Sequence, residues 1–178
     1  MNAAPQKKVD IKVELLRAIS SLDLADLCNI TEQAINAGGG FGWLTVPPRD
    51  ILKKYWQGVV IVKNRKLIVG RLNKAIAGTL QIIFHPSNNE AQQNICNITY
   101  HFVAPWARGH GLAKAMINKA EKVGIDNNSN CAQLDVRETQ DAAIQLFKAG
   151  SYLMRVLVLS SLRKTLWLWH VHTWRARL

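Results

Sequence analysis

The segment Arg108-Gly109-His110-Gly111-Leu112-Ala113 carries residue types that bind a phosphate group through the main chain. It follows a predicted strand and opens a predicted helix, and the first turn of a helix presents unpaired N–H groups and a partial positive charge. Glycines at 109 and 111 let a ligand approach the main chain, and the guanidinium of Arg108 suits phosphate oxygens. The pattern is typical of a pyrophosphate cradle. Taken alone, the same letters also fit a plain tight turn between a strand and a helix.

Hydrophobic periodicity predicts the elements that position this segment. An alternating pattern indicates a strand at 9–15, and helical spacing indicates helices at about 20–37 and 49–57. Between the helices, the glycine-rich residues 38–43 and Pro47-Pro48 indicate a loop. Three successive strands over 66–70, 75–84 and 94–103, joined by short turns, predict an antiparallel meander. A helix from Gly111, a strand at 131–137 and a helix at 140–149 complete the pattern, with Thr139 as the expected N-cap of the last helix.

Length and composition fit a single folded domain. The chain of 178 residues has 48% hydrophobic and 20% charged residues, which is ordinary for a globular protein. We expect a disordered tail at 1–8, one domain over 9–152, and an atypical basic, Trp-rich tail over 153–178 that can form a closing hairpin. Residues 151–178 hold five basic residues, no acidic one and three of the six tryptophans. A reading frame shifted near residue 150 and a divergent but functional hairpin are both compatible with this composition.

Several classes of protein are disfavoured by the same data. The N-terminus has no apolar h-region, so no signal peptide is expected, and no apolar run reaches the roughly 20 residues that span a bilayer. Three widely spaced cysteines form no CxxC pair, which argues against a zinc site and a disulfide framework. We therefore expect a cytoplasmic protein without membrane partners. The formal net charge is +11, and the five basic residues after position 150 carry nearly half of it. The other basic residues are scattered over residues 1–150 rather than clustered, so nucleic acid is not the expected partner.

The cradle segment resembles motif A of the GNAT superfamily of N-acetyltransferases. That motif reads Arg/Gln-x-x-Gly-x-Gly/Ala, and Arg108, Gly111 and Ala113 stand at its fixed positions. Downstream, residues 134–147 resemble motif B, in which a strand and an Asn precede a helix with an Ala-x-x-Leu-Tyr pattern. The resemblance covers about residues 9–152 in element order. It implies an α/β fold with a mixed, mostly antiparallel central sheet flanked by helices.

The resemblance also implies where acetyl-CoA binds. Strands 94–103 and 131–137 would run parallel and splay apart, which opens a slot for the thioester. The backbone of Phe102 and Val103 would pair with the pantetheine arm, and the side-chain amide of Gln140, which stands where the family often has Asn, would reach it too. The pyrophosphate would be bound by Arg108 and by the backbone amides of Gly109, His110, Gly111, Leu112 and Ala113. The acceptor amine would enter opposite the cofactor, over the loop near 38–43.

The implied reaction is direct attack of a neutral amine on the thioester, with a base that removes the amine proton. Strict alternation along 94–103 would put Asn97, Thr99 and His101 on one polar face. His101 is a candidate base because its unperturbed pKa is near 6.5, and a structural histidine within the sheet is the equal alternative. Glu90, in the preceding turn, is a second candidate, and a solvated turn carboxylate is the plainer interpretation.

One position departs from the family pattern. The family often has a Tyr in the last helix that protonates the leaving thiolate, whereas Phe147 stands there and has no proton to give. Tyr152 follows on a different helical face, and Tyr100 and Tyr55 are further tyrosines to consider. A thiolate can leave without a protein acid, so the departure weakens the assignment of an acid and not of activity.

The sequence thus predicts an acetyl-CoA-dependent N-acetyltransferase that acts on a small-molecule or peptide amine without a metal. A non-catalytic acyl-CoA-binding module of the same fold is the first alternative, and a basic nucleic-acid-binding protein is the second. The acceptor and the oligomeric state are left open, a homodimer included.

Overall fold

The chain forms one mixed sheet with helices on both faces. The computed structural model describes residues 9–38, 42–43, 45–136, 140–150, 152–158 and 170–177. The elements in chain order are β1 (Ile11–Leu16), α1 (Ser21–Asn36), α2 (Arg49–Val59), β2 (Arg65–Leu72), β3 (Ala75–Phe84), β4 (Ile95–Val103), a short 3-10 helix (Pro105–Ala107), α3 (Leu112–Asp126), β5 (Cys131–Val136), α4 (Asp141–Lys148), β6 (Leu153–Val158) and β7 (His170–Arg177).

In the part of the chain that the structure describes, the sheet has seven strands in the order β1-β2-β3-β4-β5-β7-β6. The pairs β1–β2, β2–β3 and β3–β4 are antiparallel, as the predicted meander requires. β4 and β5 are parallel, which the crossover through α3 allows. The predicted fold class, a mostly antiparallel sheet with one parallel pair, is confirmed. In the tail, β7 pairs with both β5 and β6, so the last strand lies inside the sheet.

The two faces of the sheet are covered by different helices. α3 and α4 pack on one face, where Met116 and Phe147 join a buried cluster with Leu80 and Ile98 of the sheet. α1 and α2 cover the other face, where Leu27 and Trp56 pack on sheet residues of a second cluster. We call these the α3 face and the α1/α2 face.

Local signals explain where the helices begin. Ser20, one of the predicted caps, accepts a hydrogen bond from the backbone N–H of Asp23 at 3.1 Å and so caps α1. α4 begins at Asp141 with Gln140 at the N-cap position, one residue later than predicted, and Thr139 lies outside the described residues. The start of α3 packs closely on the sheet: a Cβ on Gly70 would lie only 2.7 Å from the Cδ1 of Leu112. Glycine at 70 therefore sets the depth of the helix that carries the cradle.

Candidate active site

The predicted cradle forms the start of α3. Gly111 occupies the N-cap position with φ 77°, and Gly109 has φ 81°, both in the left-handed region that favours glycine. A Cβ on either glycine would meet no atom within 4 Å, so the glycines are required by backbone conformation rather than by crowding. Residues 108–111 are exposed, and the first-turn N–H groups of a helix have no partner within the helix. This open, donor-rich surface fits a pyrophosphate.

Two side chains stiffen the cradle loop. The Nε of Arg108 donates to the carbonyl of Val103 at 3.5 Å, and the rest of its exposed guanidinium stays available. The Nδ1 of His110 lies 3.0 Å from the carbonyl of Arg108, so this ring turns back toward its own loop. The sequence predicts that both residues belong to the cradle. In the structure the Nδ1 of His110 contacts its own loop, whereas only the Nε of the Arg108 guanidinium does so.

A slot opens in the sheet directly before the cradle. The parallel ladder between β4 and β5 runs from Ile95 opposite Cys131 to Ile98 opposite Leu134 and then ends. β4 continues to Val103, and β5 continues to Val136 in pairing with β7. Since the carboxyl ends of parallel strands meet at one edge of a sheet, the slot and the start of α3 share that edge. The slot and the cradle thus lie in sequence along β4.

A β-bulge at Tyr100 changes the direction of the side chains along the slot. Tyr100 has φ 50°, and the register between β3 and β4 shifts there, so that Tyr100 and His101 stand together opposite Leu80. The prediction that His101 shares a face with Asn97 and Thr99 is therefore wrong. His101 lies on the α3 face, whereas Tyr100 and Phe102 join the residues that pack on α1 and α2.

His101 sits in an apolar environment beside α4. Its ring centroid lies 5.8 Å from that of Phe147, and its Nε2 is buried without a hydrogen-bond partner among the described residues. Burial lowers the pKa of His101 to about 4, and a hydrogen bond to the backbone of Ala113 opposes that effect in part. The imidazole is thus neutral at pH 7 and able to accept a proton, although weakly.

Glu90 lies away from the slot. It is exposed in the connection between β3 and β4, at the start of β4, and the slot opens only beyond Ile98. The described contacts do not bring it to the cradle or to His101. Its role as a base stays a prediction.

The α1/α2 face of the sheet has a polar floor beside the slot. The Nη1 of Arg65 donates to the Oε1 of Gln81 at 3.1 Å, and the Nε2 of Gln81 donates to the hydroxyl of Tyr55 at 3.0 Å. Burial raises the pKa of Tyr55, so this phenol stays protonated. The Oγ1 of Thr99 is buried without a partner among the described residues. Buried polar side-chain atoms usually have a hydrogen-bond partner, so the Thr99 hydroxyl needs an explanation.

Asp135 is a candidate site residue that the sequence analysis missed. Leu134 pairs with Ile98 on the α3 face, so Asp135, one residue on, lies on the α1/α2 face next to the position of Thr99. Although the residue is exposed, the surrounding protein reduces its hydration and raises the pKa of its carboxyl group. The signal was present in the sequence, as a lone acid flanked by Leu134 and Val136 in a strand.

Among the described residues on the α4 side of the slot, no tyrosine is free to protonate the leaving group. Phe147 is buried, and its ring packs 5.3 Å from that of Tyr152. The hydroxyl of Tyr152 donates to the Oε1 of Glu121 at 2.8 Å, and burial raises the pKa of this phenol. Tyr152 is thus committed to a structural bond. Gln140 is half-buried at the start of α4, and its side chain makes no capping hydrogen bond.

Two other features bear on the site. In the described ranges, no three His, Cys, Asp or Glu side chains come together in a way that would hold a metal ion. Every described helix is too short or too polar to cross a bilayer.

The sequence is similar to that of known acetyltransferases over the region that forms the slot and the cradle. The sequence model of the acetyltransferase (GNAT) family matches residues 28–151, which include the slot and the cradle. A protein of Azospirillum brasilense is 45% identical over 131 residues, which cover 74% of this chain and 78% of that protein. It is described as an uncharacterized N-acetyltransferase in the hisH-hisA intergenic region.

Solved structures share the fold at low sequence identity. An N-acetyltransferase from Staphylococcus aureus Mu50 is 15% identical with a TM-score of 0.74, over 94% of this chain and 98% of that one. A ribosomal-protein-alanine N-acetyltransferase from Brucella melitensis is 12% identical with a TM-score of 0.72, over 94% and 99%. The yncA protein of Salmonella typhimurium, solved with its cofactor acetyl-CoA, is 11% identical with a TM-score of 0.74, over 94% of both chains.

Proposed function

The chain belongs to the acetyltransferase (GNAT) family, and on that premise we propose that it is an N-acetyltransferase that moves an acetyl group from acetyl-CoA to a primary amine by direct attack. The observation that carries the proposal is the slot between β4 and β5, which opens beyond Ile98 and leads to the left-handed glycines of the cradle. A thioester in the slot and a pyrophosphate at the start of α3 would account for both features.

The cofactor residues have distinct roles in this proposal. The backbone of Phe102 and Val103 runs along the pantetheine arm, since the β4–β5 ladder of the described residues ends at Ile98. The first-turn amides of α3 and the exposed guanidinium of Arg108 hold the pyrophosphate. Gln140, with a side chain that does not cap α4, supplies an amide to the pantetheine.

The choice of the proton acceptor depends on which face of the sheet the amine approaches. An amine on the α1/α2 face meets Asp135, whose raised pKa makes its carboxylate a stronger base than an ordinary aspartate. His101 is neutral but faces α3, and Glu90 lies at the start of β4. We therefore propose Asp135 as the base and keep His101 and Glu90 as the competing candidates.

The reaction then proceeds without a tyrosine acid on α4. The amine nitrogen forms a bond to the thioester carbon, Asp135 takes the proton that the nitrogen loses, and the C–S bond breaks with the electron pair on sulfur. A backbone N–H at the end of the β4–β5 ladder polarises the carbonyl oxygen. The thiolate leaves as such or takes a proton from water.

The proposal is tested by thiol release from acetyl-CoA in the presence of a panel of primary amines. Arg108→Ala should raise the KM for acetyl-CoA by about ten- to a hundredfold, since a charge-assisted bond to phosphate is lost. Lys122→Ala, which removes an exposed cation from the same helix far from the cradle, is the matched control. Equal effects of the two substitutions would show that the cradle does not bind the cofactor.

A second candidate function is acyl-CoA binding without transfer. The buried Phe147 and the bond of Tyr152 to Glu121 favour it, because neither residue offers a free phenolic proton to the leaving thiolate. Tight binding of acetyl-CoA with no thiol release for any amine would support this function over transfer.

A further inference from the structure

Arg65 is a half-buried cation without a carboxylate partner. It stands at the start of β2, and no Asp or Glu of the described residues lies within 4 Å of its guanidinium. By contrast, Arg49 pairs with Glu32, and Arg71 pairs with Glu14 and Asp23. The Nε of Arg65 is also buried without a hydrogen-bond partner in the described part of the chain. A buried cation is normally paired, so Arg65 calls for an anion.

Gln81 fixes the direction of this guanidinium. Its Oε1 accepts from Arg65, and its Nε2 donates to Tyr55, so both ends of the amide are engaged. The head of Arg65 therefore reaches across from β2 to β3 on the α1/α2 face. Since a guanidinium has five N–H donors, most of its donors remain for another acceptor.

The strand register places Arg65 on the α1/α2 face, in the row of the sheet just before the slot opens. One row across the sheet runs from Arg65 through Ile83 and Asn97 to Gln133, and the next row contains Gln81 and Thr99. Asp135 follows Gln133 by two residues along β5, beside the slot. β2 and β5 are three inter-strand spacings apart, which is about 14 Å, and the reach of Arg65 toward β3 shortens that span. The floor thus has a cation at one end, a carboxylate at the other, and the unpartnered Thr99 hydroxyl between them.

We propose that the acceptor is an amine that carries a carboxylate several carbon atoms from its amino group, and that Arg65 binds this carboxylate. The inference rests on the proposed function for the position of the amine beside Asp135. The span excludes an α-amino acid that uses its own α-amine, because a single carbon separates its two charged groups. The Thr99 hydroxyl lies along the route and suits a polar chain or a bound water. The Asn97 amide borders the route, and its Nδ2 lies 2.9 Å from the Nε2 of His85.

The residues around Arg65 add a positive electrostatic potential to that of its guanidinium. A groove of about 660 Å³ at this end of the sheet is lined by Arg17, Lys63, Arg65 and Lys66, with Asp126 as its acid. Clustered cations raise the local concentration of an anion and steer it inward. This field acts on any anion, so the test must separate it from the directed contact of Arg65.

Lys66 is the matched control. It follows Arg65 in β2 and lines the same groove, but its side chain points to the opposite face of the sheet because successive strand residues alternate. Lys66→Gln and Arg65→Gln therefore remove the same charge from the same region. Arg65→Lys keeps the charge and loses the forked donor set.

The experiment compares three acceptors of equal length: 6-aminohexanoate, 6-aminohexanamide and hexylamine. The wild-type chain should prefer 6-aminohexanoate, and Arg65→Gln should raise the KM for that acceptor by about ten- to a hundredfold while the other two change little. Lys66→Gln should change all three by less than about twofold, and Arg65→Lys should fall between wild type and Arg65→Gln. Thermal unfolding of each variant controls for folding.

Binding of 6-aminohexanoate to the CoA-saturated protein, measured by calorimetry, gives a second readout that needs no turnover. Binding that Arg65→Gln abolishes, with no thiol release, would keep the contact between Arg65 and the carboxylate and reject the proposed function. Turnover of the three acceptors at equal efficiency would keep the proposed function and reject this inference. Equal losses in Arg65→Gln and Lys66→Gln, or no binding of 6-aminohexanoate at all, would also overturn it.

Discussion

The imidazole of His101 packs edge-on against the ring of Phe147, with centroids 5.8 Å apart and planes at 67°. The contact joins β4 to α4 across the α3 side of the slot, and it exists because the bulge at Tyr100 turns His101 to that side. It also explains the low pKa of His101, since an aromatic neighbour replaces water around the ring.

The free energy of unfolding should therefore decrease as the pH falls from the unfolded-state pKa of His101 toward its folded-state pKa. Its pKa is near 6.5 in the unfolded chain and about 4 in the folded chain, so the unfolded state binds the proton first as the pH falls. Between pH 7.5 and pH 5 the loss should be about 2 kcal/mol from this residue. Urea unfolding of wild type and His101→Gln at both pH values measures it. The variant should lose less stability over this range, and an identical loss in both proteins would contradict the assignment.

Asp135→Asn should abolish most of the transfer. Removal of a general base typically costs about 10²- to 10⁴-fold in rate. In the wild type, kcat/KM should fall as the pH falls through the raised pKa of Asp135, because the protonated carboxyl cannot accept a proton. Asp135→Asn should remove this acidic limb. The measurement is the pH profile of thiol release.

The competing bases provide the comparison for that experiment. His101→Gln and Glu90→Gln should keep the acidic limb and lose less than about tenfold in rate. A large loss in either variant, with the rate of Asp135→Asn near that of wild type, would transfer the role to that residue.

Gly111→Ala should weaken both the fold and cofactor binding. Gly111 has φ 77°, and an L residue in that conformation costs about 1–2 kcal/mol although an added Cβ would meet nothing within 4 Å. Gly58→Ala in α2 is the opposite case, since it has equal room and an ordinary helical φ, and alanine there should stabilise by up to about 1 kcal/mol. Thermal unfolding and acetyl-CoA titration of both variants check the contrast. A stable Gly111→Ala protein with normal affinity would remove the conformational argument for the cradle.

Tyr152→Phe separates a structural tyrosine from a catalytic one. Loss of its hydrogen bond to Glu121, which is 2.8 Å long, should destabilise the protein by about 1–3 kcal/mol. The kcat should stay unchanged, because the hydroxyl is committed to Glu121 on α3. A fall of kcat by a hundredfold with normal folding would identify Tyr152 as the acid instead.

Local signals predicted most of the fold and the glycine turn at the start of α3. The alternation of β3 and β4, the periodicity of α3 and the glycines of the cradle are short-range features, and each helix and strand before residue 150 appears in the expected order. The bulge at Tyr100 has no such signal, because a tyrosine carries no preference for positive φ and the shift depends on pairing with β3. One undetected bulge reversed the predicted direction of His101.

The acceptor end depends on contacts between distant residues. Arg65 and Gln81 are 16 residues apart and Gln81 and Tyr55 are 26 apart, so their network needs the register of the sheet and the position of α2. Similarly, β7 pairs with β5 inside the sheet, which the tail sequence alone does not specify. Asp135 became a candidate only when the parallel register placed it beside the slot.

The measurement that tests the central claim most directly is the stoichiometry of CoA release and amine acetylation in one reaction. Purified protein, acetyl-CoA and an excess of 6-aminohexanoate or another primary amine are incubated, and thiol and N-acetylated product are quantified together. Direct transfer through the slot predicts one N-acetylated amine for each CoA, with no release when the amine is omitted and a strong reduction in Asp135→Asn. Tight acetyl-CoA binding without any acetylated product over a broad amine panel would contradict it.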